Sequence, residues 1–396
     1  MTLQEKVKQL SSQYFEEVLS IRRHIHAHPE LSFQEHETSA FVRKILEDFG
    51  YENITSIAGT GLTVTVEGKN SGKNVIALRA DMDALPILEA NDVPYKSQNQ
   101  GVMHACGHDV HTASMLGAAK ILQTVKEEFE GTVKFIFQPG EEKLPGGASV
   151  MIKEGILNNP NPSAILGQHV MPSLPAGKVG FRPGMYMASA DEIYVTVHGK
   201  GGHGAMPETC VDPVLISSHI IVALQQVISR MSSPKIPSVL TFGKVIADGA
   251  TNVIPNEVKL EGTFRTFNEE WRADAHQKMK KMAEGIAESM GGSCDFDIHV
   301  GYPFLENHPE LTAFSKQAAI EYMGAENVVD LDLRLTAEDF AYFTQERDAC
   351  FYRLGTRNEA RGIISSVHTP TFDIDEDTLK TGMGLMSWLA ISNLKQ

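Results

Sequence analysis

The stretch NVIALRA at residues 74–80 is an apolar run rich in β-branched residues, which is typical of a buried strand. TVKFIFQ (132–138) and AILGQHV (164–170) have the same character. Between them, HTASMLGAAKILQTV and GGASVMIKEGIL show the apolar spacing of helices. Strands that alternate with helices predict an α/β domain with helices layered on a sheet.

The pattern changes after LPAGKVGFRPG, a glycine- and proline-rich stretch that suits a linker. The elements that follow are strand EIYVTVHG, a helix from Pro213 to about Met231, strands SVLTFGKVIA and EVKLEGTFRTF, helix EEWRADAHQKMKKMAEGIAESM and strand CDFDIHV. This β-α-β-β-α-β order predicts a ferredoxin-like α+β unit. The rest returns to mixed elements and ends in an amphipathic helix after Asp375. We therefore expect a first domain of residues 1–186 and 301–396, with residues 187–300 inserted into it.

Length and composition indicate an ordinary globular protein of two or three domains. The chain has 396 residues, 42% of them hydrophobic and 21% charged, which excludes the disordered, collagen-like and disulfide-scaffold classes. The net charge of −15 disfavours nucleic acid and anionic membranes as partners.

Cysteine usage and the N-terminus predict the compartment. The four cysteines are scattered without C-x-x-C spacing, so they do not form a disulfide framework. The N-terminal segment is an amphipathic helical pattern without an apolar signal core, and no apolar run approaches ~20 residues. We expect a cytoplasmic protein with neither a membrane nor a nucleic-acid partner.

Carboxylates follow two of the predicted strands, where ligands bind in open α/β sheets. Asp81 and Asp83 in RADMDALP are two residues apart and share a face in extended chain, although turn or helix-cap carboxylates have the same pattern. Glu141 and Glu142 follow a strand and a Pro-Gly turn in FIFQPGEE. Adjacent side chains diverge, so one can bind a metal while the other reaches a metal-bound water.

Histidine and cysteine side chains lie in three further segments. HACGHDVHTA (104–113) holds Cys106 and His108, and its density of such residues favours metal binding over core packing. His169 ends the run AILGQHV, and His368 lies in a loop ahead of the last helix. Each of these two alone is more often a structural residue.

Together these segments supply five ligands of the N, S and O types that zinc-like ions prefer: Cys106, His108, Glu142, His169 and His368. Five exceed what one tetrahedral site with an open position needs, and a bridging carboxylate or thiolate would use all of them for two ions. Paired ions ~3.5–4 Å apart can activate water together. Glu141 then has a natural role as the general base.

The predicted inserted domain has its own candidates. His203 lies between glycines in GKGGHGAMP, where the backbone can approach a ligand closely, although a plain loop histidine is equally consistent. Asn252 lies in GATNVIPNE. Arg265 suits bidentate binding of a substrate carboxylate, or a surface salt bridge.

Six motifs in this order resemble the metallopeptidase family of aminoacylases and glutamate carboxypeptidases: RRHIHAHPELSFQEHET, RADMDALP, HACGHDVHTA, FQPGEE, GGHGAMP and HTPTF. The branch that they resemble holds bacterial N-acyl-amino-acid amidohydrolases, hippurate hydrolases and plant auxin-conjugate hydrolases. The resemblance covers nearly the whole chain from about residue 20. It implies a three-layer α/β/α metallopeptidase-like catalytic domain with an inserted ferredoxin-like lid and dimerisation domain.

The resemblance also implies roles for residues. Cys106, His108, Glu142, His169 and His368 fall on ligand positions of a dinuclear site that commonly holds zinc, manganese, nickel or cobalt. Glu141 matches the general base, and Asp83 matches an acid that supports the metal site. His203 matches a histidine that stabilises the oxyanion and can reach the partner's site in a homodimer. Asn252 and Arg265 match substrate contacts in the lid.

The chain departs from the family pattern at a few positions. Val110 replaces a frequent Gly, and Gly140 replaces the usual Ala, but neither position is a proposed ligand. The KLP stretch at 143–145 varies among relatives, so the resemblance does not imply an acyl group.

These observations predict metal-dependent hydrolysis of the amide bond of small N-acyl-L-amino acids. Three alternatives stay open: a dipeptidase or carboxypeptidase using the same site, a thiol hydrolase with Cys106 as nucleophile, and a non-catalytic metal-binding protein. The thiol reading leaves Glu142, His169 and His368 without a role, and the non-catalytic reading does not explain why every expected group is present.

Overall fold

Helices and strands alternate along the chain in the computed structural model, which describes all 396 residues. The α-helices are α1 (Leu3–Gln13), α2 (Phe15–Ala27), α3 (His36–Asp48), α4 (His108–Thr124), α5 (Gly147–Lys153), α6 (Pro213–Gln226), α7 (Glu269–Ser289), α8 (Pro309–Met323), α9 (Ala341–Glu346) and α10 (Thr378–Asn393). The strands are β1 (Thr55–Ile57), β2 (Gly61–Glu67), β3 (Val75–Asp81), β4 (Thr132–Gln138), β5 (Ala164–Pro175), β6 (Val179–Phe181), β7 (Gly184–Met187), β8 (Asp191–His198), β9 (Gly202–His203), β10 (Ser238–Ile246), β11 (Val253–Ile254), β12 (Glu257–Thr266), β13 (Ser293–Val300), β14 (Leu305–Asn307), β15 (Val328–Asp330) and β16 (Asp348–Arg357).

These elements form two compact units. The first unit consists of residues Met1–Gly184, Glu306–Asp332 and Asp339–Gln396, and the second of Met185–Leu305 and Leu333–Glu338. The division lies beside the predicted boundaries at 186/187 and 300/301. It also assigns 333–338 to the second unit, which no composition change in the sequence had indicated.

The first unit is built on an eight-stranded mixed sheet in the order β1-β2-β4-β3-β5-β16-β6-β15. The three stretches that predicted buried strands form β4, β3 and β5, which are neighbours and parallel. Parallel strands must be joined by crossovers, and the helical stretches between them form α4 and α5. The carboxyl ends of these three strands therefore lie at one edge of the sheet.

Helices cover both faces of this sheet, as the α/β/α prediction requires. Helices α4 and α10 contact each other and pack on β3 and β5, whereas α5 and α9 contact each other and pack on β4 and β16. Alternation along β5 shows the two faces, because Leu166 joins the core that includes α4 and α10. Its neighbour Gly167 faces the rings of Phe340 and Phe351. The predicted three-layer architecture is confirmed.

The last helix differs from its prediction. α10 was expected to be amphipathic, but nearly all of its side chains are buried, including Ser387, Ser392 and Asn393. Neighbouring elements surround it, because α1, α4 and α8 contact it in addition to the sheet. A helix covered on all sides has no solvent-facing polar stripe, so periodicity alone could not predict the burial of α10.

The second unit is a four-stranded antiparallel sheet in the order β10-β12-β8-β13. On β8, Ile193 and Val195 are buried, whereas Glu192 and Tyr194 point to the opposite face. Helices α6 and α7 pack against each other and against the sheet, and their apolar faces complete its core. The predicted β-α-β-β-α-β order is confirmed.

One helical segment is long and apolar enough to span a membrane, contrary to the expectation that no apolar run approaches that length. It is Pro213–Met231, which comprises α6 and a π-helical turn and has a mean hydropathy of 1.4. A single segment of this kind is weak evidence for a span. Its inner face, Ile216, Ile220 and Leu224, is part of the core of the second unit.

Candidate metal centre

The candidate centre lies where the carboxyl ends of β3, β4 and β5 meet. Asp81 ends β3, the turn Pro139–Gly140 follows β4, and His169 lies within β5. Strand pairing fixes these positions, since β4 and β5 are both in parallel register with β3. Ligands are expected at this edge of an α/β sheet.

The start of α4 brings Cys106 and His108 to the same edge. Gly107 between them has φ +82°, a conformation that glycine adopts without strain. A Cβ at Gly107 would lie 2.6 Å from a methyl carbon of Val170, so a larger residue does not fit there. Glycine thus allows the tight turn that places both side chains beside β5.

The five predicted ligands come together. Cys106 Sγ lies 3.5 Å from His169 Nε2 and 3.3 Å from His368 Nε2. Glu142 Oε1 lies 3.2 Å from His368 Nε2 and 3.9 Å from His108 Nε2. The ligand atoms form overlapping groups within 4.8 Å, of which Cys106/His108/His169 and Cys106/Glu142/His368 share the sulfur.

The hydrogen bonds of two histidines fit metal binding. His108 Nδ1 donates to the carbonyl oxygen of Asp83 at 2.9 Å, and His169 Nδ1 donates to that of Val170 at 2.7 Å. Both Nε2 atoms are thereby directed into the cluster, and buried His108 Nε2 has no hydrogen-bond partner. Metal-binding histidines usually have their second nitrogen held in this way.

The electrostatics around His108 and His368 favour positive charge, whereas burial and the charge of Arg353 hold the pKa of His169 well below its ordinary value. Burial opposes protonation of His108, but the charge of Asp81 and the hydrogen bond to Asp83 outweigh it and hold the pKa of His108 well above its ordinary value. Hydrogen bonds to Cys106 and Glu142 raise the pKa of His368 to about 10. Burial and the charge of Glu142 raise the pKa of the Cys106 thiol. A cation would satisfy the same negative groups.

Glu141 lies at the edge of this cluster. Its side chain is buried, with Oε2 4.0 Å from His108 Nε2, and its Oε1 accepts a hydrogen bond from the backbone N–H of Asp339 at 3.4 Å. The carboxylates of Glu141 and Glu142 both lie in one group of candidate ligand atoms with His108. Glu142, and not Glu141, also lies in the group that contains Cys106 and His368. Glu141 is thus placed to act beside the five ligands.

Asp83 lies behind the cluster. Its carboxylate accepts hydrogen bonds from the backbone N–H groups of Glu141 and Glu142, both at 3.0 Å, and from Ser32 Oγ at 2.6 Å. Burial opposes its ionisation, but His108, Ser32 and the Glu142 N–H outweigh this and keep its pKa below the ordinary value. Asp83 therefore links β3 to the turn that carries both glutamates.

A buried charge network under the cluster was not predicted from the sequence. Asp81 accepts hydrogen bonds from Arg79 Nη1 and His111 Nδ1, both at 2.6 Å, and Arg79 Nη2 also donates to Asp339 at 2.8 Å. His111 Nε2 in turn accepts the N–H of Val170. The arginine inside the apolar run NVIALRA was the signal available, because a buried charge requires partners.

The remaining candidates lie in the second unit. His203 on β9 pairs with Val253 on β11, and the N–H of Gly204 donates to the carbonyl of Asn252, so His203 and Asn252 lie close together across this antiparallel strand pair. His203 is exposed. Arg265 lies on β12, where it donates to Thr263 Oγ1 and to the carbonyl of Leu335.

Comparison with known proteins identifies relatives over the full length of the chain. The chain is 41% identical over 306 residues to the N-acyl-L-amino acid amidohydrolase of Geobacillus stearothermophilus, covering 77% of this chain and 82% of that protein. It is 38% identical over 396 residues to thermostable carboxypeptidase 2 of Saccharolobus solfataricus, covering 99% of each.

A solved structure has the same fold. The YXEP protein of Bacillus subtilis, described as a dinuclear metal binding peptidase from the M20 family, matches with a TM-score of 0.83 and 35% identity, covering 97% of this chain and 99% of that one. The model of peptidase family M20/M25/M40 matches residues 77–391. This chain belongs to peptidase family M20/M25/M40 and is an enzyme that hydrolyses amide bonds.

Proposed function

We propose that this protein hydrolyses the amide bond of small N-acyl-L-amino acids and releases a carboxylic acid and a free amino acid. The observation that carries the proposal is the convergence of Cys106, His108, Glu142, His169 and His368 beside Glu141. The amidohydrolase of Geobacillus stearothermophilus supports this substrate class.

The five converging side chains would hold two divalent ions of zinc, manganese, nickel or cobalt, and the Cys106 sulfur belongs to two of the candidate ligand groups. When bound, such ions polarise a carbonyl group and make a water molecule acidic. The donor set of sulfur, imidazole and carboxylate suits these metals but does not select among them.

Glu141 is proposed as the general base. One of its Oε atoms takes the proton of the attacking water, and the protonated carboxyl then donates it to the nitrogen of the leaving amine. Asp83 holds the Glu141 and Glu142 backbone in place through its hydrogen bonds. His203 is proposed to stabilise the oxyanion. Asn252 and Arg265 are proposed to bind the substrate, and the Arg265 guanidinium binds the carboxylate of the substrate.

Replacing Glu141 tests the base. In Glu141→Gln the amide cannot accept the proton, so we expect kcat to fall by about 10²–10⁴-fold. The number of metal ions per chain, measured by elemental analysis, is expected to stay at the wild-type value. Near-normal kcat in this variant would refute the role of Glu141.

A dipeptidase or carboxypeptidase is the main alternative, supported by the similarity to thermostable carboxypeptidase 2. A pool of N-acetyl-, N-benzoyl- and N-indoleacetyl-amino acids with matched dipeptides separates the two. Metal-supplemented enzyme is expected to release free amino acid from the N-acyl compounds first. Preferential cleavage of the dipeptides would replace our proposal with a peptidase.

The thiol-hydrolase and non-catalytic readings have less support. Burial raises the pKa of the Cys106 thiol, which opposes formation of a nucleophilic thiolate without a cation. A non-catalytic protein would not require Glu141 beside the five converging side chains.

We further infer a homodimer through the second unit. α6 exposes Val214, Leu215 and Val222, and the edge strand β10 of the same unit exposes Val245 and Ile246. An edge strand with unpaired backbone groups can pair with its own copy about a twofold axis. We also infer a cytoplasmic location, since all four cysteines are free thiols.

A further inference from the structure

Three consecutive backbone N–H groups of the glutamate turn point at two buried carboxylates. The N–H groups of Glu141 and Glu142 donate to Asp83, and that of Gly140 donates to Glu35 Oε1 at 2.8 Å. Glu35 comes from the segment RRHIHAHPELSFQEHET, to which the proposed function assigns no role. The turn is thus held from two sides, by β3 and by the N-terminal segment.

Glu35 is fully buried and all of its partners are neutral. Oε1 also accepts the N–H of Phe33 at 2.8 Å, and Oε2 accepts the hydroxyl of Thr60 at 2.5 Å. Burial raises the pKa of Glu35, with the Thr60 hydrogen bond opposing it. Burying a carboxylate is costly, so its retention among neutral donors indicates a specific task.

Phe33 shows how tightly this contact is built. It has φ +65°, which is uncommon for a residue other than glycine, and its ring lies against the α-carbon of Gly140. The Glu35 carboxylate therefore holds the backbone N–H groups of both Phe33 and Gly140, the two residues that make this ring-to-backbone contact.

We propose that Glu35 is a positioning residue that acts through the Gly140 N–H to hold Glu141 and Glu142 at the metal centre. The proposal rests on the proposed function of those two glutamates. Glu35 occurs in none of the ligand groups, so it acts on the centre through its neighbours and not as a ligand.

Three variants distinguish positioning from other roles. Glu35→Ala removes the acceptor. Glu35→Gln keeps it, because the amide oxygen can accept both N–H groups while the amide nitrogen donates to Thr60, whose hydroxyl can also accept. Glu30→Ala is the matched control, because Glu30 lies in the same segment but its side chain caps α3 at Glu37 and Thr38.

The first measurement is the affinity of metal-free protein for Zn²⁺, by competition with a chromogenic chelator, and the second is kcat and KM on an N-acyl-amino acid. In Glu35→Ala we expect affinity and kcat to fall about 10–100-fold, the usual effect of losing a group that orients a ligand, with KM within about twofold. Glu35→Gln and Glu30→Ala are expected to stay within about threefold of wild type in both measurements.

Zn²⁺ affinity and kcat in Glu35→Ala equal to those in Glu30→Ala would overturn the proposal. Failure of Glu35→Gln to the same extent as Glu35→Ala would also overturn it, since charge rather than acceptance would then matter. If Glu35→Ala does not fold, Thr60→Val, which removes one donor to Glu35, must lower Zn²⁺ affinity in the same direction. Wild-type enzyme without hydrolytic activity would instead refute the proposed function, and the Zn²⁺ affinities would still decide the role of Glu35.

Discussion

At the scale of the residue, Gly140 shows why a position must be judged with its neighbours. The family resemblance implies alanine at this position, so Gly140→Ala would be regarded as harmless. In this chain Gly140 has φ +58°, and a Cβ would lie 2.5 Å from the nearest ring carbon of Phe33. Real Cβ atoms do not approach so closely, so either the ring or the turn must move.

We predict that Gly140→Ala lowers the free energy of unfolding by about 1–3 kcal/mol, the usual cost of overpacking. Adding Phe33→Ala should recover part of this loss, because it removes the ring. Urea unfolding of both single variants and the double variant gives the coupling energy. A stable Gly140→Ala variant, or a coupling energy of zero, would contradict the contact.

Single residues also show what could be predicted of the candidate site. Cys106, His108 and Glu142 could be brought together because each directly follows a strand or precedes a helix at the same sheet edge. The residues that support these ligands could not be predicted, because each is distant in sequence from its partner. Glu35 contacts Gly140, and Asp339 contacts Arg79. Burial of Lys134 within β4 was equally invisible, since its Nζ is satisfied by carbonyls such as those of Asn158 and Pro160.

At the scale of the element, Asp191 fastens the second unit. From β8 it accepts bonds from two residues of α7, Arg272 Nε at 2.9 Å and His276 Nε2 at 2.7 Å, and from the N–H of Gly301 at 3.2 Å. Burial opposes its ionisation, but the bonds from His276 and Arg272 outweigh it, so its pKa lies below the ordinary value.

We predict that Asp191→Ala lowers the free energy of unfolding of the second unit by about 3 kcal/mol, the lower end of the usual cost of breaking a buried ion pair, because Arg272 loses both bonds to Asp191 and keeps only Glu269 as a charged partner. Trp271 fluorescence reports this unit if Trp388→Phe is the background, since these are the only tryptophans. Glu192→Ala, the next residue on the open face of β8, should change stability by less than about 0.5 kcal/mol. Equal effects of the two substitutions would refute the role of Asp191.

The depressed pKa of Asp191 predicts that the stability of the second unit depends on pH. Because the folded-state pKa of Asp191 is depressed, its stabilisation is fully present above its ordinary pKa of about 4 and is lost as pH falls through the lower folded value. Stability of the second unit should therefore decline below about pH 4, and less steeply in Asp191→Asn. Parallel pH profiles for the wild type and Asp191→Asn would contradict this.

Most elements could be predicted because their local patterns agree with their tertiary environment. The ends of β10, β12 and α7 lie within one or two residues of the predicted segments. The two-residue strands β9 and β11 were missed, because such a short pairing leaves no periodic pattern. The burial of α10 was missed because it depends on helices distant in sequence.

At the scale of the whole molecule, the proposed dimer explains the exposed apolar side chains of α6, because the interface buries them. We predict that the wild-type protein has about twice the chain mass of 43.4 kDa in light scattering, and that Val222→Lys shifts it toward the monomer. Val300→Lys is the matched control. Val300 is also an exposed valine, but it lies on β13, the opposite edge strand of the sheet. A monomeric wild type at micromolar concentration would exclude this interface.

We propose that hydrolysis requires two ions held by the five converging side chains. The most direct measurement is a titration of chelator-treated, metal-free protein with Mn²⁺ or Zn²⁺, following release of the free amino acid. We expect no release before metal is added and a rise that saturates at two ions per chain. Full activity in the metal-free protein would contradict it and would make Cys106 the candidate nucleophile.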